Sequence, residues 1–130
     1  MILIPLLFLF VGVLLGLITR QTLTGQLAIY AGDACLAGFD TVCGGVRSLL
    51  EGKYATDIFV TGFISNILIA FFLAWLGDSI GINLFLAVAL VLGTRTFTNL
   101  SIIRRLLIGR WQDNRARKRL EIEKEQVILG

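Results

Sequence analysis

The chain has no histidine, one proline and two cysteines among its 130 residues. Each scarcity removes a class of chemistry. Without histidine there is no Ser-His-Asp triad and no His-bearing zinc or haem ligand set. Cys35 and Cys43 do not form a C-x-x-C pair. Eight residues apart on one helix, their Cα atoms stand about 12 Å apart, beyond the roughly 7 Å that a disulfide allows. Both read as small buried hydrophobes. No Walker-type glycine loop occurs. Hydrolysis by paired aspartates inside a membrane needs acids on separate suitable spans, whereas Asp33 and Asp40 lie two turns apart on one segment. The expectation is a protein that is not an enzyme and carries no cofactor or metal.

Charge is the next shortage. Only 16% of the residues are charged and 56% are hydrophobic, against about 25% charged in an average soluble domain. What charge there is sits unevenly. Residues 1–103 hold four basic and five acidic side chains, and residues 104–119 hold seven basic and one acidic. Residues 120–130 hold one basic and three acidic, which gives the total of +3. "Basic" therefore describes one short stretch.

What the chain has instead is long uncharged runs. Ile2–Ile18 is seventeen residues with no charge, the lower limit for crossing a hydrocarbon core about 30 Å thick. A signal peptide wants a positive n-region and a small-residue cleavage site; no Lys or Arg precedes this run, and Ile18-Thr19-Arg20 follows it. The segment reads as a retained anchor, with Pro5 in its first turn, where a missing N–H costs little. Ile58–Gly77 is a second span, with Trp75 near its end as a headgroup-level anchor. A third starts near Asn83 and runs to about Ile103, with Arg95 in its middle and Arg104-Arg105 closing it. The short link Asp78–Gly81 makes the last two an antiparallel hairpin.

Ala28–Leu50 is ambiguous. It is long and apolar enough to span, yet carries Asp33, Asp40 and Arg47. Their spacing of seven displaces each by only about 20° on a helix, so one narrow polar stripe runs along an apolar rod. Such a helix spans with its stripe toward other helices, re-enters, or lies in the interface. Basic residues after Ile103 place the C-terminus in the cytoplasm and the Asp78 turn outside. Four crossings leave Arg20 outside; three place Arg20, Arg47 and Lys53 inside. The predicted fold is an all-α integral membrane bundle of three to four helices, about 2–19, 28–50, 58–77 and 83–108. Residues 1–108 form the membrane domain and residues 109–130 a charged cytoplasmic tail.

Polar residues within the spans are the candidate site: Asp33, Asp40, Arg47, Asn66, Arg95 and Asn99. A charge at mid-bilayer costs about 2.5–3.5 kcal/mol on insertion scales, so each needs a partner. Two readings compete: a proton, ion or solute path, or pairing that locks helix register. A cross-helix pair such as Asp40 with Arg95 is the sharper expectation, and Asn66 and Asn99 suit gluing the hairpin. Small residues recur every four positions: Gly12 and Gly16; Ala37, Thr41 and Gly45; Gly62, Asn66, Ala70 and Ala74; Ala89 and Gly93. In lipid, close backbone approach drives helix association, within the chain or to a second copy. The basic cluster Arg104, Arg105, Arg110, Arg115, Arg117, Lys118 and Arg119 suits topology and anionic lipid, and nucleic acid is not expected. Glu121, Glu123 and Glu125 with Lys124 read as a frayed charged helix.

Three groups of residues carry a resemblance. The first is Phe39-Asp40-Thr41 with Gly44-Gly45-Val46-Arg47. The second is Phe59-Val60, Gly62-Phe63, Asn66, Ala70-Phe71-Phe72-Leu73-Ala74 and Leu76-Gly77. The third is Leu84, Leu86-Ala87, Gly93, Arg95, Phe97, Asn99-Leu100 and Ile102-Ile103-Arg104-Arg105. Together they resemble the small basic protein family of bacterial multi-pass membrane proteins, whose genes sit among cell-division and envelope genes. The resemblance spans most of residues 1–108 and implies a bacterial inner-membrane location without naming an activity. The expected role is a structural or interaction module of the envelope or division machinery, as a homo-oligomer or with other membrane proteins. The rival is a transporter or channel subunit using Asp40, Arg47 and Arg95.

Overall fold

The computed structural model describes residues 3–19 and 25–130, and every regular element among them is an α-helix. In chain order these are α1 (Leu3–Thr19), α2 (Gln26–Leu50), α3 (Thr56–Ile80) and α4 (Leu84–Leu129). Residues 1, 2 and 20–24, including Arg20, lie outside the described residues. Of the described helices, α3 and α4 are long and apolar enough to cross a membrane.

Two helix ends show how the chain reverses. At the end of α3, Gly81 adopts a left-handed φ of 70°, and the N–H groups of Ile82 and Gly81 donate to the carbonyls of Gly77 and Asp78. At the end of α2, Gly52 (φ 75°) repeats the arrangement, with Lys53 N–H donating to Ser48 and Gly52 N–H to Leu49. This double bond pattern satisfies carbonyls that a helix end otherwise strands. Helix α3 therefore runs three residues past the expected Gly77, and the connection to α4 is correspondingly short.

The centre of the fold is α2. It packs against α3 and α4 far more extensively than those two pack on each other. The α3–α4 hairpin expected from the short link is present, but its helices splay to admit α2. Backbone size explains this. The α2 face carries Ala37, Gly38 and Gly45, all buried, and such residues let neighbours approach closely. Ala37 gathers with Ala70, Val88 and Leu92 into the core, bordered by Leu36, Ile67 and Leu73. The stripe that α4 buries is Val88, Leu92 and Thr96, one residue round from the anticipated Ala89 and Gly93. Helix α1 is the least engaged: its backbone neighbours α2 alone, and Phe8 packs edge-on against Phe59 and Phe63 of α3.

The expected small-residue contacts divide. Gly45 is buried in α2, whereas a Cβ on Gly12, Gly62 or Gly93 would meet nothing within 4 Å. Those three lie away from close crossings within the chain, and the surroundings of Gly16 are not among those described. The tight approach is at Gly77, where a Cβ would come within 2.7 Å of the Ile82 carbonyl oxygen and of the Leu84 Cβ.

The other departure is α4, which continues through the anticipated boundary at residue 108 to Leu129. The reason is local. Beyond Gly109 the residues are mainly Arg, Lys, Glu, Gln, Leu and Ala, all good helix formers, and no proline interrupts them. At about 1.5 Å per residue, this 46-residue helix is about 69 Å long.

Substituting Gly77→Ala should lower the thermal stability of the purified protein by about 1–3 kcal/mol, since backbone must move to admit the methyl. Gly62→Ala should be neutral or gain up to about 1 kcal/mol from helix propensity. Thermal unfolding followed by circular dichroism in detergent checks both.

Candidate functional site

The stripe on α2 governs the interior. Asp33 and Asp40 are 1% and 0% exposed, the two bulkiest fully buried side chains of the described residues. An ionised carboxylate out of water needs a countercharge or donors. Helix α4 supplies them for Asp40. Arg95 Nη2 lies 3.1 Å from Asp40 Oδ2, while Thr96 Oγ1 and Asn99 Nδ2 each approach Oδ1 at 3.5 Å. The arginine contact is ionic in distance without the alignment of a full hydrogen bond. Asp40 is thus ringed by three α4 groups drawn from just over one helical turn.

The ring extends to Arg47. Its Nη1 donates to Asn99 Oδ1 at 3.3 Å and its Nε to Glu51 Oε1 at 2.8 Å. Arg47 and Asp40 sit two turns apart and do not meet directly; Asn99 bridges them, its amide donating one way and accepting the other. The Arg47 hydrogen bond holds the Glu51 carboxyl below the usual glutamate range. One turn further, Arg110 donates to the Leu50 carbonyl. On the opposite side of α2, Asn66 of α3 donates to Thr41 Oγ1 at 2.9 Å, and Thr41 in turn donates to the Ala37 carbonyl. The two asparagines therefore do not glue α3 to α4 across the hairpin. Each fastens its own helix to α2, because α2 fills the space between them.

Asp33 has a different environment. Neither of its carboxyl oxygens has a hydrogen-bond partner. It sits one turn from Ala37, on the face that α2 turns toward the apolar core. At the far end of α2, Gln26 and Tyr30 donate to the Asp78 carboxylate at 3.1 and 2.7 Å, pinning the start of α2 to the end of α3.

Several of these groups escaped the sequence reading: Thr96, Glu51, Gln26, Tyr30 and Asp78. Thr96 lies four residues after Leu92, on the stripe that α4 buries. Cys35 is exposed and Cys43 buried, and both are free. Cys35 is therefore not the buried hydrophobe expected, because it lines an open groove between α2 and the loosely packed α1. The basic residues Arg104, Arg105, Arg110, Arg115, Arg117, Lys118 and Arg119 are all exposed, with the Arg115 guanidinium 3.7 Å over the Trp111 ring. Among the described residues no group of three or more Cys, Asp or Glu converges as a metal site would require.

An all-α chain that buries Asp40 against Arg95, Thr96 and Asn99 while leaving many large apolar side chains exposed defines the class. Within that class the family is identifiable. The model described as "Protein of unknown function (DUF1290)" matches residues 23–108, and the chain belongs to that family. The match covers α2, α3 and α4 as far as Ile108. One relative is a protein described as "Small basic protein" from Bacillus subtilis (strain 168), 39% identical over 116 residues, covering 89% of this chain and 96% of the relative. Another is an uncharacterized protein of Mycobacterium tuberculosis (strain ATCC 25618 / H37Rv), 36% identical over 101 residues, covering 76% and 84%. An uncharacterized protein of Mycobacterium bovis matches to the same extent. No solved structure matches the chain.

Replacing Arg95→Gln strands the Asp40 carboxylate and should destabilise by about 2–3 kcal/mol, below the roughly 3–5 of a fully enclosed pair because the guanidinium is half exposed. Adding Asp40→Asn to Arg95→Gln should restore part of that loss. A double-mutant cycle of unfolding in detergent measures it.

Proposed function

We propose that this protein is a multi-pass protein of the bacterial inner membrane that acts as an interaction module of the cell envelope. Its membrane part would be a four-helix bundle, and α4 would carry a basic arm into the cytoplasm. The observation that carries the reading is the form of α4. It is one unbroken helix from Leu84 to Leu129, and from Trp111 onward every residue is exposed. Helices in proteins draw most of their stability from packing one face, and this stretch packs against nothing in the chain, so a partner or a surface on which it can lie supplies what the chain itself does not.

Three further features support the membrane part. Ile58, Ile64, Leu68, Ile69 and Phe72 on α3 and Leu86, Leu90, Val91 and Phe97 on α4 all point outward, an apolar surface too broad for water. Helix α2 hides its charges against α3 and α4, as a spanning helix must, and at 25 residues it has the length to cross. Trp75, half exposed near the end of α3, suits one interface, and Arg104 and Arg105 suit the cytoplasmic one. The relatives named above are bacterial, and the envelope setting is part of the proposal. In this reading α1 is the helix freest to meet a second copy or another membrane protein.

The rival reading, a subunit of a proton, ion or solute transporter, draws on Asp33, a buried carboxyl with unpartnered oxygens. The ring around Asp40 favours the structural role, since its members are engaged with one another.

In proteoliposomes the protein should show no ion or proton flux above empty vesicles, and a chain ending at Arg110 should unfold within about 1 kcal/mol of the full length, since the removed residues bury nothing. Site-specific photo-crosslinkers at Leu120 and Ile122 in living cells should form discrete adducts, absent from a crosslinker at Leu90. Flux abolished by Asp40→Asn in a variant that folds normally would overturn the interaction module in favour of transport.

A further inference from the structure

Between α2 and α4, below the Asp40 ring, the chain leaves an open polar crevice of about 480 Å³ lined by Arg47, Ser48, Glu51, Arg95, Thr98 and Asn99 among others. That size lies within the roughly 300–1,000 Å³ of small-ligand pockets. Its lining is polar in a region whose surroundings are apolar. Asn99 lies five residues before Arg104, so the crevice sits about 7.5 Å along α4 from the basic exit, within reach of side chains that snorkel toward an interface.

Both arginines enter the crevice with capacity to spare. The Arg95 side chain is 54% exposed although Asp40 stands behind it, and that of Arg47 is 37% exposed although Glu51 takes its Nε. A guanidinium has five N–H donors. Asp40 meets Arg95 through one nitrogen, and Asn99 and Glu51 meet Arg47 through two. Of the charged residues that line the crevice, Arg47 and Arg95 outnumber Glu51, and Asp40 meets Arg95 from behind. Thr98 and Ser48 add hydroxyls. Two guanidiniums with N–H donors to spare, set among hydroxyls and an amide, match the acceptor oxygens of a phosphodiester.

We infer that this crevice binds the phosphate-bearing headgroup of an anionic membrane lipid, with Arg47 and Arg95 as its charged contacts. The inference rests on the membrane reading above and adds to it a defined site, distinct from the diffuse attraction of Arg115–Arg119 to a negative leaflet. Basic pockets between helices on the cytoplasmic side are a recurring means of headgroup recognition. The apolar flank of α4 beside the crevice, with Val91 and Leu100 exposed, gives the acyl chains a surface to lie against.

The test uses the full chain purified in a neutral detergent and titrated with phosphatidylglycerol, phosphatidylcholine or inorganic phosphate, with thermal unfolding and native mass spectrometry as readouts. Phosphatidylglycerol should bind about tenfold more tightly than phosphatidylcholine, the factor that one charge-assisted contact of about 1.4 kcal/mol confers. Arg47→Gln should remove that preference, and Thr98→Glu, which keeps both arginines but adds a carboxylate at an exposed position, should remove it as well. Arg115→Gln, remote from the crevice, should alter binding less than about twofold. Unchanged preference in both Arg47→Gln and Thr98→Glu would overturn the site. Stabilisation by inorganic phosphate equal to that by phosphatidylglycerol would overturn the lipid assignment in favour of a soluble phosphate ligand. Recovery of the chain as a folded monodisperse species without detergent would instead remove the membrane reading itself, whatever the titrations give.

Discussion

The Asp40 carboxyl, buried on one face of α2, has to be kept from an apolar surround, and the arrangement of α4 against α2 answers to that need. Asp40 cannot face lipid or a hydrocarbon core without a countercharge. Arg95 supplies it from α4, and this fixes which face of α4 turns inward and at what height. Thr96 and Asn99 follow on the same face, and the apolar line Val88–Leu92 is set by the same rotation. Helix α3 is then held from the other side by Asn66 on Thr41 and by the small residues Ala70 and Ala74. The buried aliphatic set is slight: among the described residues it is Ala37, Val42, Ala70, Ala74, Val88 and Leu92. Polar contacts of this kind orient helices where apolar burial contributes little to association, as in lipid.

Much of this was legible before any coordinates. The spacing of Asp33, Asp40 and Arg47 by seven marks one stripe, and an acidic stripe facing an isolated Arg95 on a later apolar segment makes the Asp40–Arg95 pair the natural candidate. The four helices fall within the expected three to four, and the turn before α4 falls at the expected Asp78–Gly81 link. What stayed hidden was the third dimension. A four-residue link specifies that two helices neighbour each other, not that a third wedges between them, so Asn66 and Asn99 were read as partners across a hairpin. Small-residue periodicity is likewise blind to direction. Gly12, Gly62 and Gly93 keep the spacing of a packing ridge, yet a side chain there would meet empty space. The close crossing at Gly77 is set by the following turn and has no periodic signature.

The end of α4 illustrates a different limit. A change in composition at residue 109 reads as a change of domain, because charge and hydropathy shift together there. Helix propensity does not shift with them. Arg, Lys, Glu and Leu are as comfortable in a helix as the apolar residues before them, and the backbone carries on regardless of the solvent around it.

That continuity has a mechanical meaning. Although Gly109 stands near the junction, α4 runs unbroken from its packed half into its exposed half, so the two share one axis. The Asp40–Arg95 contact sits near the rod's fulcrum, and the far tip stands about 50 Å beyond it along the axis. A slight reorientation of α4 against α2 is therefore multiplied into a wide sweep of the basic arm, and a load applied at the arm reaches the Arg110–Leu50 contact before the Asp40–Arg95 pair.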